Sequence, residues 1–451
     1  MDLKKSKPMR RQTDVALSIT KHLFSKEDYH DKNVVFSPFS LNAALSVMAA
    51  GSSGRTLDEL LTFLRVKSVD HLTTFYSHLI SAVLSSDDAA PSYHLSFANG
   101  MWADDSLSLS HSFKQLVATH YRAALASVDF QNKGDQVHSE VNSWVKKETN
   151  GLITGLLPPR AVGKLTRLIF ANTLHFKGVW EDKFSPTYRD NFHLLNGTSV
   201  EVRFMTSKKK QQFIRAFDGF QVLRLSYEQG TDKKRRFSMY IFLPDAKDGL
   251  PALIEKLASD SNFLKDKLLP QHTVWVHDFK IPKFKISFGI KASNVLKELG
   301  VVSPFSQQNA DFTKMVDGHV DELYVENIFH KAFIKVNEEG TEAGAGIVMH
   351  GATKGFSDVR ASRNFVADHP FLFLIREDFA GTILFIGQVL NPREGAATPV
   401  KFLVLLLFTA KKDVGKVDED AHMSYIEDLE VPSKRKRKRK RSSKVYFTER
   451  M

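Results

Sequence analysis

Two groups of residues in this 451-residue chain have types and spacing that could do chemistry. The first is the run Asn337-Glu338-Glu339-Gly340-Thr341-Glu342-Ala343-Gly344-Ala345-Gly346, which continues directly from a strand-like stretch. Small side chains suit a backbone that must slide between others. They make a poor permanent strand, because Gly packs nothing and loses much entropy on ordering. The chemistry to expect there is conformational. A stretch without periodicity follows as far as Arg363, and a loop of that length is either functional or a flexible connector. Composition leaves both open. The second group is residues 434 to 441, eight consecutive Lys and Arg residues that supply +8 of the net charge of +12. Such a run fits a nuclear import signal, a nucleic-acid contact or a solvated tail. Nucleic-acid contact is the weaker reading, because no aromatic residue interleaves the cations to stack on bases.

Catalytic chemistry finds little support. Seventeen histidines form no His-Glu-x-x-His pattern, and the chain has no Walker loop, Gly-x-Gly-x-x-Gly or Gly-x-Ser-x-Gly. Gly344-Ala345-Gly346 lacks the Lys and Ser/Thr that complete a phosphate loop. The absence of cysteine excludes a disulfide framework, a thiolate zinc site, an iron–sulfur cluster and a cysteine nucleophile. Neither an enzyme nor a metal or cofactor is expected. Asn196-Gly197-Thr198 reads as a hairpin turn.

Elements that could position these residues follow from periodicity. Helices are predicted over Thr13–Ser25, Ser40–Ala50 (ending at Gly51), Val69–Leu84, His111–Tyr121, Gln136–Thr149, Leu250–Leu257 and Lys291–Leu299. Strands dominate from about residue 165: Arg167–Val179, a series between Glu201 and Leu243, Thr273–Ile290, Val320–Val336, Phe371–Ile375 and Thr382–Val389. Helices first and strands afterwards, without βαβ alternation, predict an α+β fold and argue against a doubly wound nucleotide-binding sheet. After Asn391-Pro392 the character changes. Residues 1–392 hold 48 basic and 42 acidic residues, a net of +6, whereas residues 393–451 read as a basic, mostly disordered appendage. Its run Phe402–Phe408 is odd in an exposed tail, and too short to cross a bilayer, which takes about 20 apolar residues. The charged start, Met1-Asp2-Leu3-Lys4-Lys5, shows no secretory signal. The expectation is a protein without membrane association, cytoplasmic and/or nuclear, with the basic run 434–441 bearing on the choice.

Specific motifs now bear on the first group. Glu338-Glu339-Gly340-Thr341-Glu342-Ala343, Ala367-Asp368-His369-Pro370-Phe371 and Ile386-Gly387-Gln388-Val389-Leu390-Asn391-Pro392 resemble the serpin family in its plant form. Phe36-Ser37-Pro38-Phe39-Ser40, Asn142-Ser143-Trp144, Thr149-Asn150-Gly151 and Asn172 through Phe176-Lys177-Gly178-Val179-Trp180 agree. The motifs run in order over about residues 12–392, and the tail has no counterpart among them.

The resemblance implies a serpin domain over residues 1–392, with three β-sheets, eight to nine helices and an exposed reactive-centre loop at about 340–364. It implies an irreversible inhibitor of serine endopeptidases acting as a suicide substrate: the protease attacks the loop, and the cleaved loop inserts into the main sheet as a new strand. Fourteen positions after Gly340 stands the bait, Lys354, followed by Gly355, which implies a trypsin-like target whose carboxylate pocket receives the lysine. Arg360 is the runner-up. Papain-like or metacaspase-type cysteine proteases are further targets that the family allows. The hinge is Glu338 to Gly346. If Thr341 faces the core on insertion, so do Ala343, Ala345, Ile347 and Met349. Gly344 and Gly346, where the family usually has Ala, fall on the other face and weaken strand propensity. Ser37, Ser40, Asn172 and His330 match a polar cluster beneath the main sheet where strands part. Trp180, Lys283 and Glu338 match the top of the sheet, with a Lys283–Glu338 pair expected to restrain insertion. A monomer is expected. The competing readings are a non-inhibitory serpin that binds or stores, and a nuclear protein whose tail contacts nucleic acid.

Overall fold

The computed structural model describes residues 7–84, 93–148, 157, 161–229, 235–260, 264, 269–318, 323–341, 362–394 and 403–409. In chain order the elements are α1 (Lys7–Phe24), β1 (Val34–Phe36), α2 (Pro38–Ala50), α3 (Gly54–Phe63), α4 (Val69–Leu84), β2 (Tyr93–Asp104), α5 (His111–His120), β3 (Ala123–Val128), α6 (Phe130–Glu148), β4 (Thr166–Val179), β5 (Ser185–His193), β6 (Ser199–Thr206), β7 (Gln211–Phe217), β8 (Phe220–Ser226) and β9 (Phe237–Pro244). They continue as α7 (Leu250–Ser259), β10 (Val274–Pro282), β11 (Phe284–Lys291), α8 (Ala292–Glu298), β12 (Tyr324–Val336), β13 (Gly340–Thr341), β14 (Ser362–Val366), β15 (Phe371–Glu377), β16 (Thr382–Val389) and β17 (Leu403–Thr409).

The fold is α+β, with eight α-helices among the described residues and three sheets. The main sheet runs β11-β12-β13-β4-β2-β3, and β17 lies in the same slot as β13, between β12 and β4. A second sheet, β1-β16-β15-β9-β8-β7, is joined to a third by the short pairing of β7 with β10. The third holds β10, β6 and β5, with β14 parallel to β10.

Local chemistry explains the central helix. Every residue of α2 is buried, and apart from Ser40, Asn42 and Ser46 its side chains are apolar. It begins on Ser37, whose hydroxyl accepts from the Ser40 amide at 3.2 Å, with Pro38 at the first helical position. The sequence placed the cap three residues later, on Ser40; a proline that lacks an amide hydrogen is at home in the first turn, and Ser37 is the cap.

β1, β2 and β3 lie among the helices, so the expected order of helices first and strands afterwards does not hold for the first third of the chain. α3 was not predicted, although Leu57, Leu60 and Leu61 stand at helical spacing along it, with Leu64 one turn further on. The long alternating stretch Thr273–Ile290 is two strands, broken at Lys283. Asn196-Gly197 is a hairpin turn, with Gly197 at φ +79° between β5 and β6.

Two cores flank the main sheet. The larger fills the space between it, α2 and the second sheet. The smaller lies under α6, where Phe130, Val137, Val141 and Val145 cover Trp102, Ile169, Ala171 and Leu407. Leu407 belongs to the segment that the sequence reading assigned to the appendage. There, a run of apolar residues forms a strand because both its edges and at least one of its faces find partners.

Candidate functional site: the hinge and the slot between two central strands

β12 and β4 run alongside one slot, and the chain enters it at the top through a tight reversal at 337–339. The Asn337 side chain organises that turn: its Oδ1 accepts from the amides of Glu339 at 3.1 Å and Gly340 at 3.2 Å. Gly340 and Thr341 then pair with Val179 and Gly178 of β4, and Thr341 also pairs with Val336 of β12. Two residues of the hinge, Gly340 and Thr341, are therefore already in the main sheet. Gly340 has φ +157°, and a Cβ there would lie 2.1 Å from the Gly178 carbonyl oxygen. Only glycine permits that approach.

Trp180, Lys283 and Glu338 are brought together above this point. The Trp180 amide donates to Glu339 O at 3.0 Å, and its indole N–H donates to Asn337 O at 2.9 Å. Lys283 Nζ lies 2.8 Å from Glu338 Oε2, and Lys183 Nζ lies 2.7 Å from Glu339 Oε2. Two ion pairs thus tie the turn to the β10–β11 and β4–β5 connections. Each is partly exposed, so each contributes modestly.

Sequence reasoning did not single out Tyr227. Its ring stacks on Trp180 with centroids 4.5 Å apart, and its hydroxyl shares a hydrogen bond with Thr341 Oγ1 at 2.6 Å. Burial pushes the phenol above its ordinary pKa, which keeps it neutral beside the threonine. Gly178 makes room for this ring, since a Cβ there would meet it at 2.5 Å. Gly178 stood within the motif Phe176–Trp180; Tyr227 carried no signal, because its role comes only from what it touches.

Deeper in the slot lie Ser37, Ser40, Asn172 and His330, all buried. The Ser37 amide donates to His330 Nε2 at 3.0 Å, which joins α2's cap to β12. Asn172 does not join that pair; its amide donates to Asn99 Oδ1 on β2 at 2.7 Å. Among the described residues Ser40 Oγ and Asn172 Oδ1 have no protein hydrogen-bond partner.

Asn172 and His330 face each other across β17, both opposite Val404. This strand runs antiparallel to both neighbours, from Leu403, opposite Thr173 and Lys331, to Thr409, opposite Thr166 and Tyr324.

Glu342, Ala343, Gly344, Ala345, Gly346, Lys354 and Gly355 lie outside the described residues, as does the basic run 434–441. The described residues on either side of 342–361 are both in sheets. Thr341 is in the main sheet, and Ser362 starts β14 against β10 of the third. No cluster of His, Asp and Glu suited to a metal occurs among the described residues, and none of their helices is long and apolar enough to cross a membrane.

Comparison with known proteins is consistent with this geometry. Residues 10–392 match the family model for Serpin (serine protease inhibitor). The chain is 50% identical over 396 residues to Serpin-ZX of Arabidopsis thaliana, covering 87% of this chain and 100% of that one. To Serpin-ZXA of Oryza sativa subsp. japonica it is 49% identical over 368 residues, covering 80% and 90%. A solved structure of Arabidopsis AtSerpin1 in its native stressed conformation superposes with a TM-score of 0.76 at 47% identity, covering 87% of this chain and 100% of that one.

Proposed function

The chain belongs to the serpin family, and from that premise we propose that it traps trypsin-like serine proteases as an irreversible suicide substrate, with Lys354–Gly355 as the bait bond. Its plant relatives support a protease-inhibitor function, and the family in general inhibits proteases rather than acting as enzymes. The observation that carries the finer reading is the seated hinge. Gly340-Thr341 already pairs with both β4 and β12, and the residues after it are small.

The proposed mechanism follows from that seat. The protease serine attacks the Lys354 carbonyl and forms an acyl-enzyme, and the peptide bond to Gly355 breaks. The freed loop end extends the existing Gly340–Thr341 pairing down the slot, each residue gaining backbone hydrogen bonds on both sides. Thr341 faces inward, against Tyr227, so Ala343, Ala345, Ile347 and Met349 fall on the same face by strand alternation. All are small or apolar, as burial demands. The acyl-linked protease is carried along the sheet before water can release it.

Incubation with trypsin tests this. The expected result is a covalent complex that survives denaturing electrophoresis and is lost in Lys354→Ala. Cleavage after Lys354 with no complex under any condition would overturn it and favour a non-inhibitory binding or storage role.

A further inference from the structure

The slot that a cleaved loop must fill is occupied in its lower half by the chain's own appendage. The register can be compared on both flanks. A strand continuing from Thr341, which pairs with Gly178 and Val336, would bring Gly346 opposite Thr173 on β4 and Lys331 on β12. Leu403 holds that place. Down to Phe408, opposite Leu168, β17 fills the positions on β4 that Gly346 to Gly351 would take. It also has the same antiparallel direction.

Residue by residue, the appendage is the better strand. Leu403, Val404, Leu405, Leu406, Leu407 and Phe408 stand where the loop would offer Gly346, Ile347, Val348, Met349, His350 and Gly351. Two glycines and a histidine are thereby replaced by leucines and a phenylalanine, residues with more apolar surface to bury; the aromatic and branched ones also favour strands. The contrast is sharpest at Leu407. It is 2% exposed, opposite Ile169 and beneath α6, where His350 would have to bury an imidazole. The family match ends at residue 392, before this strand begins.

We propose that Leu403–Thr409 is a built-in competitor of the reactive loop, which holds the lower slot, limits insertion to its upper part and must withdraw before the trap can close. This rests on the suicide-substrate reading above. While β17 stays in place, a protease that cuts the loop meets incomplete insertion and hydrolyses free, so the chain behaves as a substrate. Withdrawal of β17 converts it to an inhibitor.

Ala171 and Leu405 are directly paired, at a separation that a disulfide spans in antiparallel sheets. The chain has no cysteine, so Ala171→Cys/Leu405→Cys in the full chain gives one thiol pair and no others. The expected result is cross-linking under mild oxidation of the resting protein, read by mass spectrometry of the linked peptides. The oxidised chain should be cut by trypsin without forming a covalent complex, and reduction should restore the complex. The bond keeps the strand in place even if trypsin cuts at Arg393 or Lys401. A second full-length variant, Leu407→Asp, puts a charge beneath α6 and should raise the rate of complex formation on the order of tenfold. Failure to cross-link, or a complex that forms in equal yield from oxidised and reduced protein, overturns the proposal. Efficient cross-linking with no complex from the reduced chain or from Leu407→Asp locates the failure in the suicide-substrate reading instead, and the competitor role falls with it.

Discussion

At Gly340 the backbone of the hinge passes closer to its neighbour than any side chain allows. A Cβ there would lie 2.1 Å from Gly178 O and 2.9 Å from Val179 Cα, both backbone atoms that cannot swing aside. Gly340→Ala is therefore expected to unseat Thr341 from the sheet, lose its bond to Tyr227 and cost about 1–3 kcal/mol in denaturant unfolding. Gly163→Ala is the control, since nothing lies within 4 Å of its added Cβ, and should change stability by less than about 0.5 kcal/mol. Equal losses from the two would refute the close-approach account. At this scale the sequence was partly legible. Lys283 and Glu338 were picked out as a pair, and the structure places them 2.8 Å apart. Tyr227 and the Asn172–Asn99 bond were not, because nothing local distinguishes a tyrosine or asparagine that matters from one that does not.

Elements are tied to each other by a few side chains that fill several roles at once. Glu59 of α3 is one. Its carboxylate accepts from the amides of Val302 and Ser303 and from Ser303 Oγ, and also meets Arg55 Nε. Burial alone would raise its pKa, but these hydrogen bonds outweigh it and hold the carboxyl at about 2 against an ordinary 4.5. As pH falls below 4.5 the unfolded chain takes up this proton before the folded one. The stabilisation is thus fully present above about 4.5 and drains away between there and about 2. Glu59→Gln should lower Tm at neutral pH and flatten the acid limb. A wild-type minus variant difference in Tm that does not shrink from pH 5 to pH 2.5 would refute this. Periodicity found α4 with its bounds, Val69–Leu84, and missed α3, the helix that carries Glu59. Leu57, Leu60, Leu61 and Leu64 stand at helical spacing there, but a run of only ten residues is near the lower length limit at which periodicity separates helix from strand.

For the whole molecule, what matters is which segment fills the slot between β4 and β12. A loop nicked after Lys354 is expected to extend β13 downward and raise Tm above that of the intact chain, and to raise it further in Leu407→Asp, where β17 no longer blocks the way. An unchanged Tm on nicking in both proteins would favour the non-inhibitory reading. The sequence alone determined the α+β class and the family, because these reside in local composition, motif order and spacing. Only the tertiary structure decided that Gly340 and Thr341 are already paired and that Leu403–Thr409 is a strand of the main sheet. An apolar run without alternation reads alike as a buried strand, a buried helix or a sticky tail. Its state is set by partners more than 60 residues away, at Thr166–Thr173 and Tyr324–Lys331, and no window along the chain contains them.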